Sequence, residues 1–290
     1  MCSAEADGTA ARANVLLINL NRSSDRLKFQ EAQFRRIGMK FLRQEAVDGA
    51  LLPHDQYRKN AFLWERPLSR SEVGCLLSHQ ACWQYVIRSG LNTLILEDDM
   101  VLAPEIATFL HDAGKVEGSV AINLEARKNL RHLSTKAVIL EGLGGYGIFE
   151  MLLGVTGSGA YLLTPDAAAW LVADIGRRGP IADIYIWNAP RVRQLQADPG
   201  FAVPMDKMRG LFGHHLPRLG ATTITRDMSL ARKFGNPKML IRRAFGQLRL
   251  AGEKLRWFGQ ATGRRVSPLP SIHVSYKAIV DDCLNEHFPR

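Results

Sequence analysis

Glu97, Asp98 and Asp99 are the residues whose types and spacing point most directly to chemistry. They follow the run Thr93-Leu94-Ile95-Leu96 without a break. A short apolar run of this kind reads as a buried strand, and the acids fall where it leaves the sheet. Ligands of open α/β sheets bind at the carboxyl ends of the strands. Three adjacent carboxylates repel one another unless a cation lies among them. Hard oxygen ligands suit Mg²⁺ or Mn²⁺, and such an ion can clamp a diphosphate. The alternative is a solvated acidic turn.

Other candidates gather around similar boundaries. Val15 to Leu20 is a second buried-strand signal, followed by Asn21-Arg22-Ser23-Ser24-Asp25-Arg26. Ser23 or Ser24 caps a helix that carries Leu27, Phe34 and Ile37 inward and stops at Gly38. A strand feeding a helix N-terminus is a natural anion site, to which Arg22 and Arg26 add charge; solvated arginines are the alternative. Residues 40–47 resume a strand and end in the turn Val47-Asp48-Gly49. This β-α-β opening argues for a parallel sheet with right-handed crossovers. Ser69-Arg70-Ser71-Glu72 is a capping box, opening a helix that runs to Ser89 and ends at Gly90. On it Cys75, His79 and Cys82 share a face at i, i+4 and i+7. No second pair of zinc-type ligands has matching spacing, so these read as core cysteines and a hydrogen-bonded histidine. Ser78 and His79 would instead face a ligand cleft.

The remaining elements follow in order. Residues 50–68, with Pro53 and Pro67, read as an irregular surface excursion. Pro104 opens a short helix, and residues 120–124 and 137–140 read as strands. Gly157-Ser158-Gly159 precedes the apolar run Ala160 to Leu163. A dinucleotide loop should open a helix, so these glycines instead let a substrate or a backbone come close. Thr164-Pro165-Asp166 starts a helix that reaches Ile175 and stops at Gly176. Asp183 opens the run Ile184 to Trp187, either as a helix cap or as a base beside an aromatic sugar platform.

A chain of 290 residues, 46% of them hydrophobic, suits one domain or one and a half. No run nears the ~18 apolar residues of a membrane span, and Met1 to Ala13 shows no signal-peptide core. Cys75 and Cys82, seven apart on one helix, are about 10 Å apart, too far for a disulfide, and a reducing cytoplasm follows. Between Arg226 and Arg265 stand eleven Lys/Arg and two acids, nine of the chain's net charge of +10. That divides the chain into residues 1–225 and a basic C-terminal extension, 226–290. Within residues 239–258, Ile241, Phe245, Leu248, Leu255 and Phe258 recur at helical spacing, with Arg242, Arg243, Arg249, Lys254 and Arg256 mainly off the stripe. Such a helix lies in an anionic membrane surface, unless it simply packs on the domain. The apolar spacing argues against a nucleic-acid-binding tail.

Several of these pieces stand in a familiar order. They are Asn19-Leu20 with Arg22 and Arg26, then Ala46-Val47-Asp48-Gly49, then Ser71 to His79 (Ser-Glu-Val-Gly-Cys-Leu-Leu-Ser-His), then Leu96-Glu97-Asp98-Asp99, then Gly157 to Leu162. Over residues 14–205 the chain resembles glycosyltransferase family 25, which includes lipooligosaccharide and collagen galactosyltransferases. The resemblance implies a GT-A-type (Rossmann-like) α/β fold, a mostly parallel sheet flanked by helices, with the basic helical extension beyond it. It also implies a UDP-sugar donor, a divalent metal (Mn²⁺ or Mg²⁺) and inversion at the anomeric carbon. On that reading Asp99 and Glu97 hold the metal. Asn19, Arg22, Arg26, Asp48, Glu72, Ser78, His79, Glu97 and Asp98 form the donor site. Asp183 is the base, with Glu125 as its substitute. Pro204 to Pro217 does not align, which leaves a late metal ligand, His214 or His215, unassigned. The expected task is transfer of a hexose, galactose first, to a lipopolysaccharide-core or other glycan. A lipid-linked acceptor would place the protein at the inner face of the membrane. A metal-dependent phosphoryl-transfer hydrolase is the rival, disfavoured for want of a second carboxylate/histidine cluster.

Overall fold

Leucine- and isoleucine-rich runs with no polar interruption become buried strands, because they have apolar neighbours on both faces. β1 (Asn14–Asn19) and β3 (Thr93–Glu97) pair in parallel, with Ile18 opposite Glu97. β2 (Leu42–Glu45) pairs with the other side of β1. The structure is a computed structural model that describes residues 13–153, 157–175, 181–212, 237–257 and 259–287. Gly176, Phe258, His214 and His215 lie outside them.

The full sheet runs β11-β6-β7-β9-β5-β8-β3-β1-β2. The further strands are β5 (Val120–Asn123), β6 (Arg127–Ser134), β7 (Ile148–Leu153), β8 (Ala160–Leu163), β9 (Arg193–Ala197) and β11 (Ala261–Val266). β1, β2, β3, β5, β6 and β9 point one way; β7, β8 and β11 run against them. The α/β expectation is met, and six of nine strands share a direction. Yet β8 threads antiparallel between β3 and β5, which the opening β-α-β unit does not foretell. A ribbon of β4 (Met100–Leu102) and β10 (Ala202–Pro204) stands beyond the acidic turn.

The helices are set by their ends. α1 (Ser24–Ile37) stops at Gly38, whose φ of 72° suits glycine. Next come α2 (His54–Ala61), α3 (Arg70–Ser89), α4 (Ile106–Asp112) and α5 (Pro165–Asp174). α3 carries the complete capping box of Ser69 and Glu72, which closes two orphan amides. Thr164 caps α5. α6 (Ala182–Ile186), α7 (Met205–Phe212), α8 (Pro237–Arg256) and α9 (Ser271–His287) follow. Trp83 of α3, Tyr161 of β8 and Tyr185 of α6 are fully buried between helices and sheet.

Two expectations are corrected. Residues 137–140 are not a strand: Ile139 is 86% exposed and the segment loops between β6 and β7. The strand there is β6, whose sequence Arg-Lys-Asn-Leu-Arg-His-Leu-Ser carries no apolar run because Leu130 and His132 face solvent and a buried position is taken by Arg131. Residues 50–68 are not wholly irregular either. They hold α2 and a small core of Leu52, Ala61, Leu68 and Val73.

Residues 261–287, beyond the expected boundary at 225/226, add β11 to the sheet and lay α9 on α1. The Phe29 and Tyr276 rings meet at 5.9 Å, and Arg36 pairs with Asp282 at 2.6 and 2.8 Å.

Candidate active site

The site stands at the carboxyl ends of β1 and β3. Asn19 ends β1 and is buried. Its amide donates to Asp98 Oδ2 at 2.8 Å and to the Ser23 carbonyl at 3.1 Å. Arg26, one turn into α1, donates to Asp98 Oδ1 at 2.6 Å. Asp98 is thus fully spoken for. Burial raises its pKa, although Arg26 and Asn19 oppose the rise. Two glutamines on the inward face of α1 hold the turn from behind. Gln30 donates to the Asp98 and Met100 carbonyls, and Gln33 accepts from the Leu102 amide. The Met205 amide donates to the Asp99 carbonyl at 2.7 Å. The backbone of the turn is fixed, so the side chain of Asp99 is placed by structure already made.

Asp99 itself is half-buried in a cleft of about 600 Å³. Among the described residues no hydrogen bond reaches its carboxylate. Burial and the neighbouring Glu97 push its pKa up to about 7, against the pull of Arg26. Glu97 is held on one side only. Its Oε1 accepts from Ser158 Oγ at 2.8 Å and meets His79 Nε2 at 3.3 Å, while no described donor reaches Oε2. Burial works to raise the Glu97 pKa, but His79, Ser158 and Arg127 bring it below the ordinary glutamate value.

Three acids from three separate segments converge on Gly157-Ser158-Gly159. The Gly157 amide donates to Asp183 Oδ2 at 3.2 Å, the Ser158 hydroxyl to Glu97, and the Gly159 amide to Glu125 Oε1 at 2.6 Å. Both glycines sit in close quarters with neighbouring side chains. A Cβ on Gly157 would lie 2.4 Å from Glu125 Oε2, and its φ is 105°; one on Gly159 would lie 2.5 Å from Met100 Sδ. The Gly157 carbonyl is pinned by Trp187 Nε1 at 2.7 Å and Asn123 Nδ2 at 3.2 Å. Glu125 is closed off on both oxygens, since Arg127 Nε also reaches Oε2 at 2.7 Å. Asp183 is more open: it is half-buried, and its two bonds come from backbone amides, Gly157 and Ile184. Burial raises its pKa against those amides and Arg127.

The sequence model of "Glycosyltransferase family 25 (LPS biosynthesis protein)" matches residues 12–182, which contain the acidic turn, the α3 motif and the glycine hub. The chain belongs to glycosyltransferase family 25. A "Glycosyltransferase 25 family member" of Aedes aegypti is 28% identical over 141 residues, 44% of this chain and 23% of that protein. "Procollagen galactosyltransferase 2" of Homo sapiens is 34% identical over 99 residues, 30% of this chain and 15% of that protein. The matches thus span less than a quarter of those relatives' length. A solved glycosyltransferase involved in the glycosylation of the major capsid of PBCV-1 is similar over 66% of this chain and 92% of that one. Its TM-score is 0.32 at 12% identity.

In this family-25 chain the cleft is lined by Arg22, Arg26, Asp48, Ser78, His79, Glu97, Asp98 and Asp99, all singled out from the sequence. Arg22 pairs with Asp48 across the mouth. Ser78 works behind the wall, donating to the Gly74 carbonyl and accepting from the Val47 amide, each at 2.8 Å. Glu72 is not in the wall. It completes the α3 cap and takes both prongs of Arg66, at 2.9 and 2.6 Å. His214 and His215 lie outside the described residues.

The donor set fits a hard divalent ion. Asp99 and Glu97 Oε2 offer oxygens without protein partners among the described residues, in a pocket whose negative charge wants a counter-ion. A softer set lies beside it: ligand-type atoms of Cys75, His79 and Glu97 all fall within 4.8 Å of one another. Residues not foreseen from the sequence complete the site. Tyr161, Gln30 and Arg127 each bond a candidate residue or its backbone, Trp83 bonds the Tyr161 hydroxyl, and Gln33 bonds Gln30 and the Met100 and Leu102 backbone. Trp83 sits four residues after His79 on one helix face, and the glutamines sit where α1 should be apolar. Both were legible signals.

Proposed function

We propose that this chain transfers a hexose, galactose first, from a UDP-sugar to a lipid-linked glycan such as a lipopolysaccharide core, inverting the anomeric carbon. The observation that carries the reading is the acidic turn at the ends of β1 and β3. Asp98 is neutralised by Arg26 and Asn19, whereas Asp99 and Glu97 Oε2 stay unpaired among the described residues. In a family-25 chain, that pair would hold Mn²⁺ or Mg²⁺. The ion supplies charge neutralisation for a leaving diphosphate.

The chain's own groups do the rest. Arg22, just before α1, and Arg26, in its first turn, line the cleft where a helix N-terminus favours phosphate. Asp183 takes the acceptor hydroxyl proton as that oxygen attacks the anomeric carbon opposite the leaving group. Its backbone donors orient the carboxylate without neutralising it. Glu125, whose two oxygens are tied to Gly159 and Arg127, is the less available group for that role.

α8 supplies the membrane contact. At 100° per residue, Ile241, Phe245, Leu248 and Leu255 fall within about 80° of arc. They are 56–80% exposed. The opposite side of the helix carries buried Met239, and Gly246, where a Cβ would lie within contact of Glu65. Met239 and Gly246 face the body, and the apolar stripe faces away. Exposed Arg256 and Arg242 stand along one side of it, a basic flank that suits an anionic lipid surface. The 226–290 segment then has two parts: residues 261–287 complete the fold, and α8 docks at the cytoplasmic face. No helix among the described residues is long and apolar enough to cross a membrane.

Incubation with a panel of UDP-sugars, Mn²⁺ and a truncated glycan acceptor, read by mass spectrometry, tests the reading. A product heavier by one hexose is expected. UDP-sugar hydrolysis at the same rate with and without acceptor would favour the phosphoryl-transfer hydrolase instead.

A further inference from the structure

A buried chain of hydrogen bonds runs from α3 through β8 to the acidic turn. Trp83 Nε1 has only a hydrogen to give, and it donates to the Tyr161 hydroxyl oxygen at 2.9 Å. The Tyr161 hydroxyl lies 2.9 Å from His79 Nδ1. Burial holds the Tyr161 phenol well above its ordinary pKa, so it keeps its hydrogen. Among the described residues the acceptor for that hydrogen is His79 Nδ1. The imidazole hydrogen therefore sits on Nε2, which faces Glu97 Oε1 at 3.3 Å. The ring has no freedom to do otherwise. His79 and Trp83 are fully buried, and the His79 and Tyr161 rings stack at 5.7 Å.

We propose that His79 is a positioning residue, locked by Trp83 and Tyr161 in the Nε2–H tautomer so that it holds Glu97 Oε1 and leaves Oε2 to the cleft. Ser158 grips the same oxygen from the other side, at 2.8 Å. The lock also decides what the Cys75-His79-Glu97 group is. A metal bound there would need the Nε2 lone pair, and the hydrogen would move to Nδ1, against the Tyr161 hydroxyl. The group is then a hydrogen-bonded support for a carboxylate, not a soft-metal centre. The benefit to the reaction rests on the glycosyl-transfer reading above; the tautomer does not.

The test separates the two. In full-length protein labelled with ¹⁵N-histidine, the wild-type His79 ring should show a protonated Nε2 and an unprotonated Nδ1. Tyr161→Phe keeps the ring and removes the hydroxyl. It should give a shifted or mixed tautomer signature, with a thermal midpoint reported alongside to show that it folds. Mn²⁺-dependent UDP binding should weaken by about 10–100-fold, the usual worth of an outer-sphere partner. Ser158→Ala should weaken it in the same direction with the tautomer unchanged. A wild-type ring protonated at Nδ1, or a Tyr161→Phe spectrum identical to wild type, overturns the proposal. So does a ¹¹³Cd resonance in the thiolate range that disappears in Cys75→Ser, which would make the group a metal site. Unaltered UDP binding in a variant whose tautomer has shifted overturns the claim that His79 positions Glu97. If no UDP-sugar is turned over at all, the wild-type spectrum still stands or falls by itself.

Discussion

Replacing Gly74 by alanine sets two effects against each other. Gly74 lies inside α3, where alanine is the better helix former by ~1 kcal/mol. But a methyl group there would stand 2.6 Å from the Val47 carbonyl and 2.9 Å from the Gly49 amide nitrogen. Ordinary contact begins at 3.4 Å, so helix and loop must part by 0.8 Å (3.4 less 2.6). The Ser78 Oγ to Val47 N bond is now 2.8 Å. Lengthened by that shift to about 3.6 Å, it is no longer a hydrogen bond. Crowding costs ~1–3 kcal/mol and the stranded amide ~1–3 kcal/mol, so the net loss is about 1–5 kcal/mol. Urea unfolding measures it. The same loop carries Asp48 into the cleft, so UDP affinity, read by calorimetry, should fall too. Gly252→Ala is the control. That glycine is exposed in α8 with nothing within 4 Å, and should gain up to ~1 kcal/mol. A Gly74→Ala protein as stable as wild type, with unchanged UDP affinity, would refute the close-approach argument.

Asp99→Asn should abolish the Mn²⁺-dependent part of UDP binding while leaving the unfolding midpoint in place; equal, metal-independent binding by both proteins would count against the metal pair. Asp183→Asn should keep donor affinity and cut turnover by roughly 10²–10⁴. Because burial raises the Asp183 pKa, and a base acts only when deprotonated, the acid limb of kcat/KM should lie above the ordinary aspartate value and vanish in the variant. Turnover within a few-fold of wild type would make Asp183 a structural acid. For α8, wild-type protein should sediment with anionic vesicles at low salt, and Ile241→Ser/Phe245→Ser/Leu248→Ser should not, each buried side chain being worth ~1.5–3 kcal/mol. Wild-type protein left in the supernatant would remove the membrane contact.

Elements that announce themselves locally were legible from the residues alone. β1 and β3 are apolar runs, α3 has its capping box, and α5 has Thr164 followed by Pro165. Each of these signals depends on neighbours within one turn or strand. β6 escaped because one of its faces is open to solvent and Arg131 takes a buried position on the other, so it has no apolar run to show. The direction of β8 escaped because it depends on which strands flank it, and only the folded sheet decides that. The site divides in the same way. The strand-then-acid pattern located Asp99, and the glycines at 157 and 159 were marked as points of close approach. That residues 157–159 serve three acids, from β3, the β5–β6 connection and α6, depends on tertiary placement. So does the different standing of Glu125 and Asp183, which look alike as letters. One is sealed by Arg127, and the other rests on amides alone.

The packing of α9 on α1 bears on how the chain comes to its fold. Arg36 and Asp282 are 246 residues apart in sequence, and their pairing closes a long loop. Loop closure grows costlier only slowly with length, so the equilibrium penalty is modest. The delay is not. During synthesis, at about 5–20 residues per second, α1 emerges early and then waits roughly 12–50 s for its partner. Through that interval the side of Phe29 that later meets Tyr276 has no cover from α9. The edge of β6 that later pairs with β11 is likewise open to other strands. The nascent protein therefore passes through a stage in which α1 and one edge of its sheet are sticky. Its yield in a cell should depend on holdase chaperones more than the stability of the finished molecule would suggest.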